Sequence, residues 1–415
     1  MKPAYRRNMS KTFTYTRFYL WAAVVVLSAS CHSIEKKNSD PPSEPYRIEL
    51  PAGNLSTTEK NSLFQKCSDW FDSVLAPSNF NGGILVAKNG VPVFEKYVGN
   101  VIPKKEIAFT PETPVHIASV SKTFTAMAVL KLMEQGFLNI DDSVSKFFPE
   151  FNYPGVTIKT LLNHRSGIPN YAYFMEDLGW DKKEFISNHN ILRALITQKE
   201  KIKNIGRPDA GFSYCNTNFA LLALVIEKVS GMRYADYLKK EFFDPLNMQH
   251  TFVFSLNDTA TATGSYDWRG DLIRFDYLDQ VYGDKNIYST VRDLLIWDRA
   301  LASGKLFRAE TIKLAYTPYS NEKPGIKNYG LGWRMNVYPT GKKMIFHNGW
   351  WHGNNAAFVR LPEQDATIIV LGNRFTRQVY KAHHLADIFD NYDADAEDSD
   401  NSNPSTDNNS QLGSK

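Results

Sequence analysis

The chain has 415 residues, 43% of them hydrophobic, and its 48 basic and 44 acidic side chains give a formal net charge of +4. This length is enough to bury a large core in one or two subdomains. Because no dense basic run occurs between residues 56 and 390, the composition argues against a nucleic-acid-binding protein. We also find no Cys/His cluster with zinc-ligand spacing and no glycine-rich phosphate loop, so we expect neither a metal nor an organic cofactor.

Residues 1–30 have the layout of a secretory signal peptide. Five basic and no acidic residues lie in the first twenty, and the apolar stretch that follows is short for a membrane span. The sequence LSASC is similar to a bacterial lipobox, which would make Cys31 the lipidated first residue of the mature protein. Leu27 lies four rather than three positions before the cysteine, so an ordinary cleaved signal and an uncleaved anchor stay open. Residues 31–55, rich in Ser, Pro, Lys and Glu, are expected to form a flexible tether.

The C-terminal end also has an unusual composition. Residues 391–415 contain six acidic side chains and one lysine, with almost no apolar residues, which predicts a disordered acidic tail. The chain has three cysteines. With Cys31 assigned to a lipid, Cys67 and Cys215 remain, and the sequence leaves their redox state open.

Residues 56–390 are expected to form one folded α+β domain. Residues 56–75 are amphipathic and begin with a capping-box pattern, and the strand-like runs that follow are joined through Asn89-Gly90, a strong hairpin signal. The pattern is mainly helical over about 158–282, and strands and a last helix follow after residue 286. The sequence therefore predicts a sandwich of sheet and helices built from both ends of the chain, with an inserted helical subdomain.

The segment from Pro114 to Phe137 contains the candidate nucleophile, Ser119. It opens a long apolar run at helical spacing, and Lys122 lies three residues later on the same face of the helix. A buried lysine can lose its proton and act as the base for a serine. The Ser-x-x-Lys pattern is weak evidence by itself, because a serine at a helix start followed by a surface lysine would produce it. The pattern occurs at Ser33–Lys36, Ser119–Lys122, Ser143–Lys146 and Ser320–Lys323.

A second candidate stretch precedes a predicted buried helix. Tyr214 and Asn216 form a Tyr-x-Asn pattern there. A tyrosine at this place can relay a proton between Ser119, Lys122 and a leaving group, and the asparagine can orient the lysine and a substrate amide. The alternative is a core tyrosine beside an asparagine cap.

A third stretch, KMIFHNGWWHG, is a predicted strand that ends in glycine and tryptophan. Gly349 would let the backbone come close to a ligand, and the N–H groups of Trp350 and Ser119 would form an oxyanion hole. His347, which precedes Asn348, can hydrogen-bond a tyrosine or the substrate. Taken alone, this stretch is equally consistent with simple packing.

In this order and spacing, the three stretches resemble the superfamily of serine β-lactamases and penicillin-binding proteins, and specifically its class C-like branch of β-lactamase-related serine hydrolases. The similarity extends over residues 60–388 and includes the hairpin, LLNHRSGIP and YGLGW. It implies an antiparallel sheet flanked by helices and a reaction without a cofactor. It also implies that Ser119 is the acylated nucleophile, Lys122 its general base, and Tyr214 and Asn216 the second motif.

The third motif differs from the one usual in that family, which is Lys-Thr-Gly and binds the carboxylate of β-lactams and D-alanyl peptides. Here it is His347-Asn348-Gly349, and a neutral histidine binds an anion less strongly at pH 7. His-x-Gly variants resemble relatives that act as esterases or D-amino-acid peptidases, so efficient β-lactamase activity is not expected. For His164, in LLNHRSGIP, we expect a structural hydrogen-bonding role.

These observations predict a cell-envelope serine hydrolase, anchored through Cys31 and facing the periplasm or exterior, that cleaves an amide or ester in a small molecule or peptide. A D-alanyl-D-alanine carboxypeptidase or β-lactamase is one alternative, favoured by any basic side chain supplied to the cleft from elsewhere. A catalytically weak ligand-binding or sensor module is another. The sequence leaves the substrate and the oligomeric state open.

Overall fold

The computed structural model describes residues 47–51 and 53–392. The predicted signal peptide, Cys31 with most of the tether, and the acidic tail from residue 393 lie outside the described residues. Within the described ranges, no helix combines the length and the apolar character needed to cross a membrane.

The described residues fold into short and long strands interleaved with helices. The strands are β1 (Gly82–Lys88), β2 (Val91–Val98), β3 (Val115–His116), β4 (Phe252–Val253), β5 (Ser265–Tyr266), β6 (Leu272–Ile273), β7 (Ile287–Ser289), β8 (Lys327–Tyr329), β9 (Arg334–Val337), β10 (Lys343–Trp351), β11 (Asn354–Leu361) and β12 (Ala366–Gly372). The α-helices are α1 (Thr57–Trp70), α2 (Ser121–Glu134), α3 (Ile158–Leu162), α4 (Tyr171–Asp177), α5 (Asn188–Thr197), α6 (Asn216–Ser230), α7 (Tyr234–Leu238), α8 (Val291–Ala302) and α9 (Ala309–Ala315).

An antiparallel sheet of seven described strands joins the two ends of the domain. Its order is β2-β1-β12-β11-β10-β9-β8, so β1 near the N-terminus pairs with β12 near the C-terminus. Helices cover both faces: one apolar cluster packs Leu85 and Phe358 against α2, α6 and α8, and the other packs Ile84 and Val359 against α1. This alternation follows from the two-residue period of strands. The predicted antiparallel sheet flanked by helices is confirmed.

Local signals at the N-terminal side of the domain behave as the sequence predicts. Ser56 caps α1 by accepting the Glu59 N–H at 3.2 Å, and a π-helical turn continues the helix to Leu75. Asn89 and Gly90 adopt φ values of 53° and 72° between β1 and β2. A two-residue hairpin needs this left-handed backbone, which explains why the Asn-Gly pair identifies the turn.

The segment 158–282, which the sequence predicts to be mainly helical, contains helices only in its first part. Helices α3 to α7 and a π-helical turn extend to Phe243. The following stretch contains β4, which pairs with β7, and the β5–β6 hairpin. Its Thr, Phe, Gly and Asp residues favour strands and turns over helices, so the helical pattern ends earlier than residue 282. The last helix, Arg377–Ile388, lies where the sequence predicts it but has 3₁₀ geometry.

Candidate active site

Ser119 lies at the point where a strand leads into helix α2. The strand β3 ends at His116, and a 3₁₀ turn over Ala118–Val120 precedes α2. Ala118 has a φ of 48°, a left-handed conformation that costs a residue with a side chain about 1–2 kcal/mol. Ser119 is half-buried whereas its neighbours on both sides are buried, so the turn leaves the serine partly exposed. We use the word cleft for the surface around the half-buried residues Ser119, Tyr214 and Trp350.

Lys122 has no exposed surface and points back at the serine. Its Nζ donates to Ser119 Oγ at 3.0 Å and to the backbone oxygen of Asp284 at 2.8 Å. The same Nζ lies 5.0 Å from the centre of the Tyr214 ring. The three-residue spacing in the sequence thus places the amine between the serine hydroxyl, a carbonyl and the tyrosine.

Tyr214 and Asn216 occupy the wall that leads into helix α6. The half-buried Tyr214 ring packs on the His164 ring with centroids 4.4 Å apart, and the Arg334 guanidinium lies 4.9 Å from its centre. Asn216 is the first residue of α6 and is 8% exposed. Its Oδ1 is buried and has no hydrogen-bond partner among the described residues, so this acceptor is unused within the described part of the chain.

Strand β10 brings the third motif against the turn of Ala118–Val120, which we call the nucleophile turn after the candidate nucleophile Ser119. It pairs with β9 only as far as Phe346, whereas its pairing with β11 continues to Trp351, so the last part of β10 has an edge that β9 does not cover. A Cβ atom at Gly349 would lie 2.4 Å from the Ile117 oxygen and 3.0 Å from the Ser119 nitrogen. Only glycine permits this approach, which aligns the β10 backbone with that of Ser119.

His347 is fully buried, and both of its ring nitrogens have partners within the protein. Nδ1 lies 2.7 Å from the Asn348 backbone oxygen, which can only accept, so the proton is on Nδ1. Nε2 therefore accepts from the Tyr329 hydroxyl at 3.2 Å. The His347 and Tyr214 ring centroids are 6.3 Å apart. His347 thus lies behind the cleft wall and is held by Tyr329.

The same hydroxyl connects His347 to His164. The Cys215 N–H donates to His164 Nδ1 at 3.1 Å, so His164 carries its proton on Nε2 and donates to Tyr329 Oη at 3.2 Å. The resulting chain runs in one direction, from His164 through Tyr329 to His347. Burial holds the pKa of both histidines well below the ordinary value, and the Arg334 charge acts in the same direction, so both are neutral.

Sequence reasoning identified neither Tyr329 nor Arg334 as a site residue. Tyr329 belongs to the YGLGW stretch that carries part of the family resemblance, but no local pattern shows that it lies between two histidines. Arg334 begins strand β9 and pairs with Phe346 on β10. Only this non-local register places its guanidinium beside the cleft.

The turn after β10 is tied to the segment that precedes β7. Asp279 accepts hydrogen bonds from Trp351 Nε1 at 2.6 Å and from His352 Nε2 at 3.0 Å. Ligand atoms of Asp276, Asp279 and His352 lie within 4.8 Å of one another, a spacing that a metal ion can use. However, the Asp276 N–H also donates to Asp279, so both Asp279 carboxylate oxygens already accept hydrogen bonds from the protein. We interpret this cluster as a link between two loops.

Comparison with known proteins identifies the family. The model of the family described as Beta-lactamase matches residues 71–390. The chain belongs to the β-lactamase family. Members of this family are serine hydrolases, in agreement with the serine and lysine found at the cleft. The match confirms the family that the sequence resembles.

Several known proteins are similar to this chain in sequence or in fold. Penicillin-binding protein 4* of Bacillus subtilis (strain 168) is 30% identical over 321 residues, which cover 73% of this chain and 70% of that protein. The octameric penicillin-binding protein homologue from Pyrococcus abyssi has a TM-score of 0.66 at 26% identity and covers 78% of this chain and 77% of that one. A D-stereospecific amidohydrolase from Streptomyces sp. has a TM-score of 0.60 at 22% identity, covering 78% and 98%, and shares the fold.

Proposed function

We propose that this protein hydrolyses an amide or ester through an acyl-enzyme on Ser119. The observation that carries the proposal is the contact of 3.0 Å between Lys122 Nζ and Ser119 Oγ, with the lysine fully buried behind a half-buried serine. Burial disfavours the charged form of an amine, so Lys122 is suited to take the proton from the serine hydroxyl.

In the acylation step, Ser119 Oγ attacks the carbonyl carbon while its proton passes to Lys122. The N–H groups of Ser119 and Trp350 stabilise the negative oxygen of the tetrahedral intermediate, because Gly349 lets β10 lie against the nucleophile turn. Tyr214 then passes a proton to the leaving amine or alcohol as its bond to the carbonyl carbon breaks. The positive groups of Lys122 and Arg334, about 5 Å from the Tyr214 ring, lower the cost of transient negative charge on its oxygen.

In the deacylation step, water attacks the ester carbonyl of the acyl-enzyme and gives a proton to the Tyr214 oxygen, which lost its own in the acylation step. The ester bond to Ser119 Oγ breaks, Lys122 returns to the serine the proton that it took, and the carboxylic acid leaves. Asn216, whose buried Oδ1 has no hydrogen-bond partner within the described residues, and Asn348 bind the substrate amide. His347 acts indirectly, as a positioning residue that holds β10 through Tyr329.

One observation favours a second candidate, a D-alanyl-D-alanine carboxypeptidase or β-lactamase. Although His347 is neutral and buried, half-buried Arg334 supplies a positive group beside Tyr214. A guanidinium binds carboxylates through paired hydrogen bonds, so it suits a substrate with a free carboxylate next to the cleaved bond. The similarity to penicillin-binding protein 4* supports the same substrate class.

We further propose that the enzyme acts in the cell envelope as a lipoprotein. The basic and apolar leader of residues 1–30 and the LSASC sequence at Cys31 support this location. Expression of the chain in cells fed a tagged fatty acid tests it. The tag should appear on the protein and disappear in Cys31→Ala, and an untagged wild type in the soluble fraction would contradict the lipid anchor.

Labelling with a fluorophosphonate probe tests the catalytic proposal. The chain from Pro45, which forms one compact unit, is incubated with the probe beside its Ser119→Ala variant, and intact mass is recorded. Turnover of a p-nitrophenyl ester and of a penicillin-type chromogen is measured in parallel. Labelling that the variant loses, with ester turnover, supports the hydrolase. Fast β-lactam turnover would favour the second candidate. A wild type that is not labelled would contradict the hydrolase and favour a ligand-binding module.

A further inference from the structure

The backbone just before the nucleophile is held by a buried histidine that the mechanism above does not use. His116, the last residue of β3, is 3% exposed. Its Nδ1 lies 3.1 Å from the backbone nitrogen of Ala118. Because an amide nitrogen can only donate, Nδ1 is the acceptor and the ring proton is on Nε2.

The other side of the ring fixes the same tautomer. His116 Nε2 lies 3.0 Å from Asn286 Oδ1, and Asn286 Nδ2 donates to the Asp279 backbone oxygen at 2.6 Å. The asparagine therefore turns its oxygen toward the histidine and accepts the Nε2 proton. The Tyr288 ring, edge-on with a centroid distance of 5.1 Å, closes one side of the imidazole. All partners agree on one orientation and one protonation state.

This contact acts on the strained residue of the turn. Ala118 has its φ at 48°, and the atoms that perform the chemistry belong to the next residue. The Ser119 nitrogen faces Gly349, and Ser119 Oγ meets Lys122. If Ala118 relaxed to an ordinary conformation, both Ser119 groups would rotate away from these partners.

We propose that His116 is a positioning residue for the nucleophile, which holds Ala118 in its left-handed conformation by accepting the Ala118 N–H. The inference rests on the proposed role of Ser119 and adds a residue to it. Loss of the acceptor would leave a buried N–H without a partner at the position where the backbone is already strained.

The contact requires a neutral imidazole, and the surroundings provide one. The charged or titratable groups near the ring are Asp279 and Lys285 from the segment before β7, His352 from the turn after β10, and Tyr288 from β7. Burial outweighs the opposing effects of Asn286 and Asp279 and lowers the pKa of His116 to about 4. The ring is therefore neutral in assays at pH 7 to 8.

Two substitutions separate positioning from simple stability. In His116→Asn, the side-chain oxygen can replace Nδ1 and keep the Ala118 hydrogen bond. In His116→Gln, the longer amide can replace Nε2 and keep the Asn286 contact. Each variant loses one of the two hydrogen bonds of the ring, so a purely structural role predicts equal losses of stability and of activity.

We would measure the rate of fluorophosphonate labelling for the full chain at pH 7.5, together with ester kcat and KM and the thermal unfolding of each variant. His116→Asn should label within about threefold of the wild-type rate. His116→Gln should label about tenfold to a hundredfold more slowly, with the loss in kcat and KM unchanged. Equal rates in two folded variants, or a loss confined to KM, would overturn the inference.

A wild type that does not react with the probe would count against the proposed function. The inference is then decided by nitrogen NMR of the histidine-labelled protein, with the His116 signal assigned by its absence in His116→Asn. A proton on Nε2 with Nδ1 as a hydrogen-bond acceptor supports the positioning role. A proton on Nδ1 overturns it.

Discussion

The guanidinium of Arg334 lies 4.9 Å from the centre of the Tyr214 ring. The positive group beside the cleft therefore comes from β9, the strand that precedes the third motif, and not from that motif itself. This arrangement separates two tasks. In the proposed function, His347 and Tyr329 hold the strand, and Arg334 attracts an anionic substrate.

We predict that Arg334→Met raises KM about tenfold to a hundredfold for a D-alanyl ester substrate with a free carboxylate. The physical reason is the loss of a guanidinium–carboxylate pair, at about 1.4 kcal/mol for each tenfold change. The methyl ester of the same substrate, which lacks the charge, serves as control and should keep its KM. If KM rises by the same factor for both substrates, Arg334 supports Tyr214 and does not bind the carboxylate.

Replacement of Lys122 by methionine should slow acylation about 10²- to 10⁴-fold, because the amine that contacts Ser119 Oγ and takes its proton is lost. The folded state should be as stable as the wild type or more stable, since methionine fills the space without burying a polar amine. Lys131→Met, on the same helix, is the matched control and should label at the normal rate. Rapid labelling of Lys122→Met would show that the lysine is not the base for Ser119.

The close approach of β10 to the nucleophile turn predicts a severe effect of Gly349→Ala. A Cβ atom 2.4 Å from the Ile117 oxygen must push the strand away, which should reduce kcat about a hundredfold and cost about 1–3 kcal/mol of stability. Gly211→Ala is the comparison, because no heavy atom of the described chain lies within 4 Å of its Cβ position. Similar kcat values for the two variants would contradict the oxyanion-hole geometry.

Tyr329→Phe should destabilise the fold by about 1–3 kcal/mol and lower kcat. The change leaves the His164 Nε2 proton and the His347 Nε2 lone pair without their shared partner in a buried position. Tyr237→Phe is a suitable control, since within the described ranges the buried Tyr237 hydroxyl has no hydrogen-bond partner. Urea unfolding of both variants measures the difference, and equal stabilities would show that the His–Tyr–His chain contributes nothing.

Stability should fall as the pH drops below about 6.5. His116, His164 and His347 have pKa values lowered by burial. At mildly acidic pH these three imidazoles therefore bind protons in the unfolded chain but not in the folded chain. Each histidine should contribute a loss of about 1.4 kcal/mol per pH unit until its folded pKa is reached, which for His116 is about 4. Urea unfolding between pH 7 and 5 tests this, and His116→Asn should flatten the slope. An unchanged stability over this range would mean that the three rings are accessible to protons.

Local signals in the sequence predict part of the fold and part of the candidate site. The spacing of Ser119 and Lys122 on one helical face predicts their contact, and Asn89-Gly90 predicts the hairpin, since both depend on neighbouring residues. Arg334 and Tyr329 could not be found in this way, because their positions depend on how β8 and β9 pair with distant β10. The sequence could assign chemistry to His347, but only the fold shows that both of its nitrogens are used internally.

The pairing of β1 with β12 also affects how the protein folds. Strand β1 begins at Gly82 and its partner ends at Gly372, so this strand pair cannot form until nearly the whole domain has been synthesised. Contacts between such distant segments form slowly, and the exposed edge of β1 is open to wrong pairing in the meantime. A chain that stops before Ala366 would therefore be prone to aggregate, even though it already contains Ser119, Lys122, Tyr214 and His347.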